Sequence, residues 1–167
     1  MLKVLGAILI VLSGGIVGVY LSMSLRNRIL SISSIYSLLN YFSVSLRYTA
    51  PTVWQLMDSA CENPEYKSLK FLSILKSKSL EEVSFEEAWN YSLSLDSTIK
   101  LEEKNILYSV GNSLGKVGLE ESISNLNLAM ERIKTIQLKA TQEYSKKGNL
   151  FRWLGLLGGL MIAILIV

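Results

Sequence analysis

Three groups of residues in this chain have the types and spacing that chemistry can use. The first is "GNSLGKVGLEE", residues 111 to 121, where Gly111, Gly115 and Lys116 follow one another like parts of a phosphate-binding loop. Such a loop needs G-x-x-x-x-G-K-[ST] directly after a strand, so that backbone amides ring the phosphates and a hydroxyl holds Mg²⁺. Here the two glycines are one residue too close, Val117 fills the hydroxyl position and the preceding "EEKNILYSV" has helical spacing. Glu120 and Glu121 would also repel a phosphate. A helix joint accounts for these residues better. Gly115 or Gly118 suits the left-handed conformation that ends a helix, and Gly111 admits a close neighbour.

The second group is the carboxylate cluster Glu81, Glu82, Glu86 and Glu87, raw material for metal binding or acid/base work. Nothing else converges on it, and Ser84 with Glu87 forms an S-x-x-E capping box, so the acids read as the solvated start of a helix whose dipole favours them. The third is Cys61, the single cysteine of a chain with no histidine. That excludes an intrachain disulfide, a zinc cluster and the Cys/His and Ser-His-Asp nucleophiles, and leaves Cys61 as a half-buried thiol on a helix. The expectation is a non-enzymatic protein with no cofactor and no small-molecule substrate.

The elements that position these groups start with two apolar ends. Val4 to Leu25 is a run of 22 uncharged residues, long enough at about 1.5 Å each to cross a ~30 Å hydrocarbon layer. A cleavable signal ending near Ser22-Met23-Ser24 is the alternative, but its apolar core would be about 7 to 15 residues, shorter than this run. At the other end Leu150 to Val167 adds 18 residues, charged only at Arg152, which can snorkel. The expected division is an N-terminal span over 1–25, a helical domain over 26–149 and a C-terminal span over 150–167. Basic residues flanking the spans, Arg26, Arg28, Lys146, Lys147 and Arg152 against Lys3, place the middle segment in the cytoplasm and both termini outside.

Between the spans the apolar spacing is helical throughout, and the fold class is all-α. The first helix continues past the membrane through Ile29, Ile32, Tyr36, Leu39, Ser43 and Leu46. Pro51 opens a short second helix at its first position, and Asn63 caps a third carrying Tyr66, Leu69, Leu72 and Leu75. A fourth follows Ser84, a fifth covers Leu101 to Leu114, and a long sixth starts near Leu119 with the stripe Ile123, Leu126, Met130 and Ile133. The expectation is a six-helix antiparallel bundle between two transmembrane helices.

All 14 acids, and all of the 17 basic residues except Lys3 and Arg152, lie in the middle domain, so it is nearly neutral and offers no broad basic face for nucleic acid. The cations at its two joints, Arg26, Arg28, Lys146 and Lys147, together with Arg152 just beyond, are expected to touch lipid headgroups. Gly14-x-x-x-Gly18 and Gly155-x-x-x-Gly159 have the small-residue spacing by which membrane helices pack. Helix alternation puts the fifth-to-sixth turn at the end away from the bilayer, with Lys116, Glu120 and Glu121 available to a partner.

The start "MLKVLGAILIVL", the "FEEAW" helix, the "LG" that ends the fifth helix and the end "LGLLGGL" together resemble the stage III sporulation protein AB family of endospore-forming bacteria. The resemblance runs the length of the chain, although Val117-Gly118 and Ser122 stand where the family pattern leads one to expect a Ser-Asp pair and a later Gln. It implies a membrane platform in the channel, or feeding tube, between mother cell and forespore. It also implies a soluble domain similar to the type II secretion system protein F domain, with other channel subunits and a cytoplasmic secretion-type ATPase as partners. The alternative is an unrelated membrane-anchored helical adaptor of a secretion or pilus-type system, which co-purification of such an ATPase separates from the first.

Overall fold

A computed structural model of the chain describes the backbone of residues 2–78 and 83–166. Side chains are described from residue 13 to 150 except at 14, 79–82 and 149, and beyond that at 153, 154, 157, 158 and 161. The described residues form six α-helices and no strand: α1 (Leu2–Thr49), α2 (Val53–Glu62), α3 (Lys70–Lys78), α4 (Phe85–Leu95), α5 (Leu101–Ser113) and α6 (Leu119–Ile166). The apolar ends are not separate helices. They are the outer parts of α1 and α6, each of which runs 48 residues. One described stretch, Gly15–Thr49, is long and apolar enough to cross a membrane.

The chain divides into two compact units, residues 31–137 and residues 1–30 with 138–167. The core of the first is built around Trp89, whose side chain is fully buried. Its indole N–H donates to the Leu107 carbonyl of α5 at 2.8 Å, and its ring meets Phe71 edge-on at 5.2 Å, with Phe85 at 5.6 Å and Phe42 at 6.5 Å. One side chain thus gathers α1, α3, α4 and α5, which explains why a helix as short as "FEEAW" and its sequel holds the centre. On α1 the buried line is Ile32, Ile35, Leu38, Leu39, Phe42 and Leu46, so the helix faces its neighbours along a line shifted from Tyr36 towards Ile35. On α6 it is Ile123, Leu126, Ala129, Ile133 and Ile136, and Asn127 accepts from the Ser43 hydroxyl of α1 at 3.3 Å.

Two helix starts differ from the sequence reading. Pro51 does not open α2, because Thr52 does: its hydroxyl accepts from Gln55 N–H at 3.3 Å, and the Gln55 side chain accepts from Thr52 N–H at 3.0 Å. This is a capping box with both bonds made. Asn63 caps only a 3-10 turn, Pro64–Tyr66, in which amides reach back three residues rather than four. The next α-helix waits until Lys70, where the buried carboxylate of Asp96 accepts from Phe71 N–H at 2.9 Å and, through its other oxygen, from Thr98 N–H at 2.8 Å. A residue 25 positions away therefore supplies what a local cap would, and no local pattern announces it.

Gly111 faces the Trp89 ring so closely that an added Cβ would lie 2.1 Å from its Cδ1 atom. The indole is held by its hydrogen bond and by Phe71, so it has nowhere to retreat. We expect Gly111→Ala to lower stability by about 3 kcal/mol in denaturant titrations of the detergent-solubilised chain, the upper end of overpacking costs. Gly118→Ala, with open space around it, should cost under about 1 kcal/mol. Ala50, just past the end of α1, holds a left-handed φ of 42° that favours glycine. Ala50→Gly should therefore raise stability by about 0.5 to 1 kcal/mol in the same titration, and a fall would contradict the strain.

Candidate docking joint and membrane-side residues

The glycine joint is a tight turn between α5 and α6. Leu114 ends α5 with its N–H bonded to the Val110 carbonyl at 3.0 Å, and Gly115 then takes a φ of 82°, the left-handed value the sequence assigned to it or to Gly118. The Lys116 and Val117 amides return to the Ser113 carbonyl at 3.2 and 3.4 Å, and α6 begins as Ser122 N–H bonds to Gly118 O at 2.9 Å. The turn's backbone donors are thus largely spent on the chain itself.

Lys116 does not stand alone in the joint. Its ammonium donates to the carboxylate of Glu86, in the first turn of α4, so one of the four clustered acids is taken up by the very lysine that suggested a phosphate loop. Beside this pair the Asn90 and Asn112 amides meet at 3.2 Å across α4 and α5. Ser84 caps α4 by accepting from Glu87 N–H at 3.3 Å, the serine half of the expected capping box. Glu87, Glu120 and Glu121 are exposed. With Lys116 paired to Glu86, the exposed charge at the start of α6 is that of Glu120 and Glu121, and it is acidic.

In the unit formed by residues 1–30 and 138–167, Arg26, Lys146 and Lys147 are exposed. Arg28 is turned inward and pairs with Glu143 of α6 at 3.5 Å. Gly18 is buried, whereas the surroundings of Gly14, Arg152, Gly155 and Gly159 lie outside the described residues. Two small residues missed by the sequence reading do the visible packing: Ser22 is fully buried, and a Cβ on Gly148 would meet the Tyr144 ring at 3.1 Å and Ser22 Oγ at 3.5 Å. The signal was present, since Ser22 continues the four-residue spacing of Gly14 and Gly18.

Chemistry of the nucleophilic kind finds no support at Cys61. Its thiol donates to the Leu72 carbonyl at 3.3 Å, and burial pushes its pKa up, with Lys76 opposing and Asp58 and Glu62 adding to the rise. A reactive cysteine needs the opposite shift. No group of three or more Cys, His, Asp or Glu side chains suited to a metal occurs among the described residues.

Searches among curated proteins and among solved structures found no match. The family model described as stage III sporulation protein AB matches residues 3–167, nearly the entire chain. The all-helical fold, the apolar first helix and the glycine joint ending α5 thus sit in a chain that belongs to the stage III sporulation protein AB family.

Proposed function

We propose that this protein is a non-enzymatic membrane platform of the mother cell to forespore channel, anchored by the outer parts of α1 and α6, with its middle segment in the mother-cell cytoplasm. The observation that carries this reading is the continuity of those two helices. Each runs without a break from an apolar chain end into the helical unit of residues 31–137, so an anchor and a docking domain share one backbone. The middle domain then acts as the antiparallel six-helix module of the secretion protein F type, beside a cytoplasmic ATPase that binds the nucleotide this chain does not. The exposed carboxylates at the start of α6 are its docking charges, and Lys116, already paired with Glu86, orients the joint that carries them.

Two measurements test this. Glu120→Lys combined with Glu121→Lys should lower recovery of channel partners by about tenfold or more, a loss near 1.4 kcal/mol, and lower spore yield with it while protein level and helicity stay normal. Unchanged recovery and spore count would remove the docking role. For topology, Ser124→Cys in a Cys61→Ala background places one exposed thiol on α6. A membrane-impermeant maleimide should label it only after the cells are permeabilised; labelling of intact cells would reverse the orientation.

A further inference from the structure

The unit of residues 1–30 and 138–167 carries a register. Ser22 faces Gly148 and Arg28 faces Glu143, so six residues forward on α1 match five backward on α6, and the two segments run antiparallel side by side. Residues equally spaced on either side of the Ser22–Gly148 contact therefore lie level, at about 1.5 Å per residue.

Along this ladder both helices change character at one height. On α1 the exposed residues are apolar through Val19, Tyr20, Leu21 and Met23, then polar at Ser24, Arg26 and Asn27. On α6 they are polar through Ser145, Lys146 and Lys147, then apolar at Leu150, Trp153, Leu154, Leu157 and Met161. The two changes fall within about 3 Å of the Ser22–Gly148 level. Beyond it exposed leucines occur singly, at Leu30 and Leu138. Two helices from opposite ends of a chain have no reason in their own folding to switch at the same height. A planar boundary between water and hydrocarbon gives one. Tyr20 and Trp153, exposed on the apolar side, are the residue types that anchor such a boundary.

We infer that the bilayer's polar boundary lies at the Ser22–Gly148 level, with acyl chains against Tyr20, Leu150 and Trp153 and the phosphates of anionic lipid against Arg26, Lys146 and Lys147. The inference rests on the membrane reading above and adds its plane and its lipid. Arg28, committed to Glu143, is a tie between the helices there. The arrangement also makes the C-terminal part of α6 a partner of α1 at the same depth.

The test uses the full chain in a Cys61→Ala background, reconstituted in vesicles of phosphatidylglycerol and phosphatidylcholine, with one spin label at Tyr20→Cys, Ser24→Cys, Ser145→Cys or Leu150→Cys. Labels at 20 and 150 should be oxygen-accessible and equal in depth to within about 3 Å, and labels at 24 and 145 should be open to a water-soluble nickel chelate. A difference of a helical turn, about 5 Å, between 20 and 150, or nickel access at either, overturns the shared boundary. Release of the chain by alkaline carbonate would overturn the membrane reading itself, whereas a retained chain with unlevel labels overturns this inference alone. Native mass spectrometry of the purified chain tests the lipid: Arg26→Gln, Lys146→Gln and Lys147→Gln together should reduce phosphatidylglycerol retention relative to phosphatidylcholine, by about fivefold per cation. Unaltered selectivity with unchanged helicity overturns the headgroup contact.

Discussion

Trp89 needs a neighbour with no side chain, and Gly111 is that neighbour. The close approach lets the indole N–H reach the Leu107 carbonyl one turn earlier on α5, while the ring's edges and faces meet Phe71, Phe85 and Phe42. A helix of 11 residues cannot stabilise itself in water, and α4 exists because its indole is seated in this way. The same seat fixes how α4 lies on α5, and that alignment brings Glu86 within reach of Lys116 and Asn90 against Asn112. The joint between α5 and α6 is therefore set from beneath by an apolar contact and from above by a polar one. Its surface carboxylates inherit their positions from the tryptophan.

Much of this was legible because it is local. Helical spacing, Ser84 before an acidic first turn, a glycine where α5 must stop and a glycine where helices must touch are all properties of a few adjacent residues. What escaped is what depends on residues far apart in the chain. Asp96 lies between α4 and α5 in the chain, yet it holds the start of α3, and only the folded chain brings its carboxylate to Phe71 N–H. Lys116 reads as a free cation for a partner until α4 delivers Glu86. Pro51 misled for a different reason: proline is favoured as a first helical residue, but Thr52 beside Gln55 offers two hydrogen bonds and displaces the start by two positions. Among the chemistry-like residues, Lys116 and Glu86 pair with each other and the Cys61 thiol donates to a backbone carbonyl, while Glu81 and Glu82 lie outside the described residues.

The polar interactions of the first unit also differ in what they hold. The Asp96 carboxylate is buried and satisfied by backbone donors on both oxygens, so its loss would leave the buried Phe71 amide without a partner. The Lys116–Glu86 pair is partly exposed, and solvent screening limits such a pair to a small stabilising effect. Its role is orientation: it directs the turn at Gly115 towards α4. Asp96 belongs to stability and Lys116 to the shape of the surface, a distinction that residue type alone does not reveal.

The two compact units obey opposite rules of burial, and the contrast says more about function than any single residue. In residues 31–137 the large apolar side chains are inside: Trp89, Phe42, Phe71 and Leu93 are fully buried. Among the described residues of 1–30 and 138–167 the buried ones are Gly18, Ser22, Ala140 and Gly148, while Ile16, Tyr20, Trp153, Leu157 and Met161 face outward. In water that second pattern is unfavourable, because it exposes apolar surface and gains little by bringing small residues together. In lipid it is the expected arrangement: the hydrophobic effect no longer separates inside from outside, and close backbone approach at small residues becomes the available source of packing. α1 and α6 each run through both patterns as one unbroken helix, so a single chain carries both rules along the same two backbones. On the membrane reading proposed above, the change from serine and glycine contacts to isoleucine, leucine and phenylalanine contacts along α1 is the passage from lipid to water.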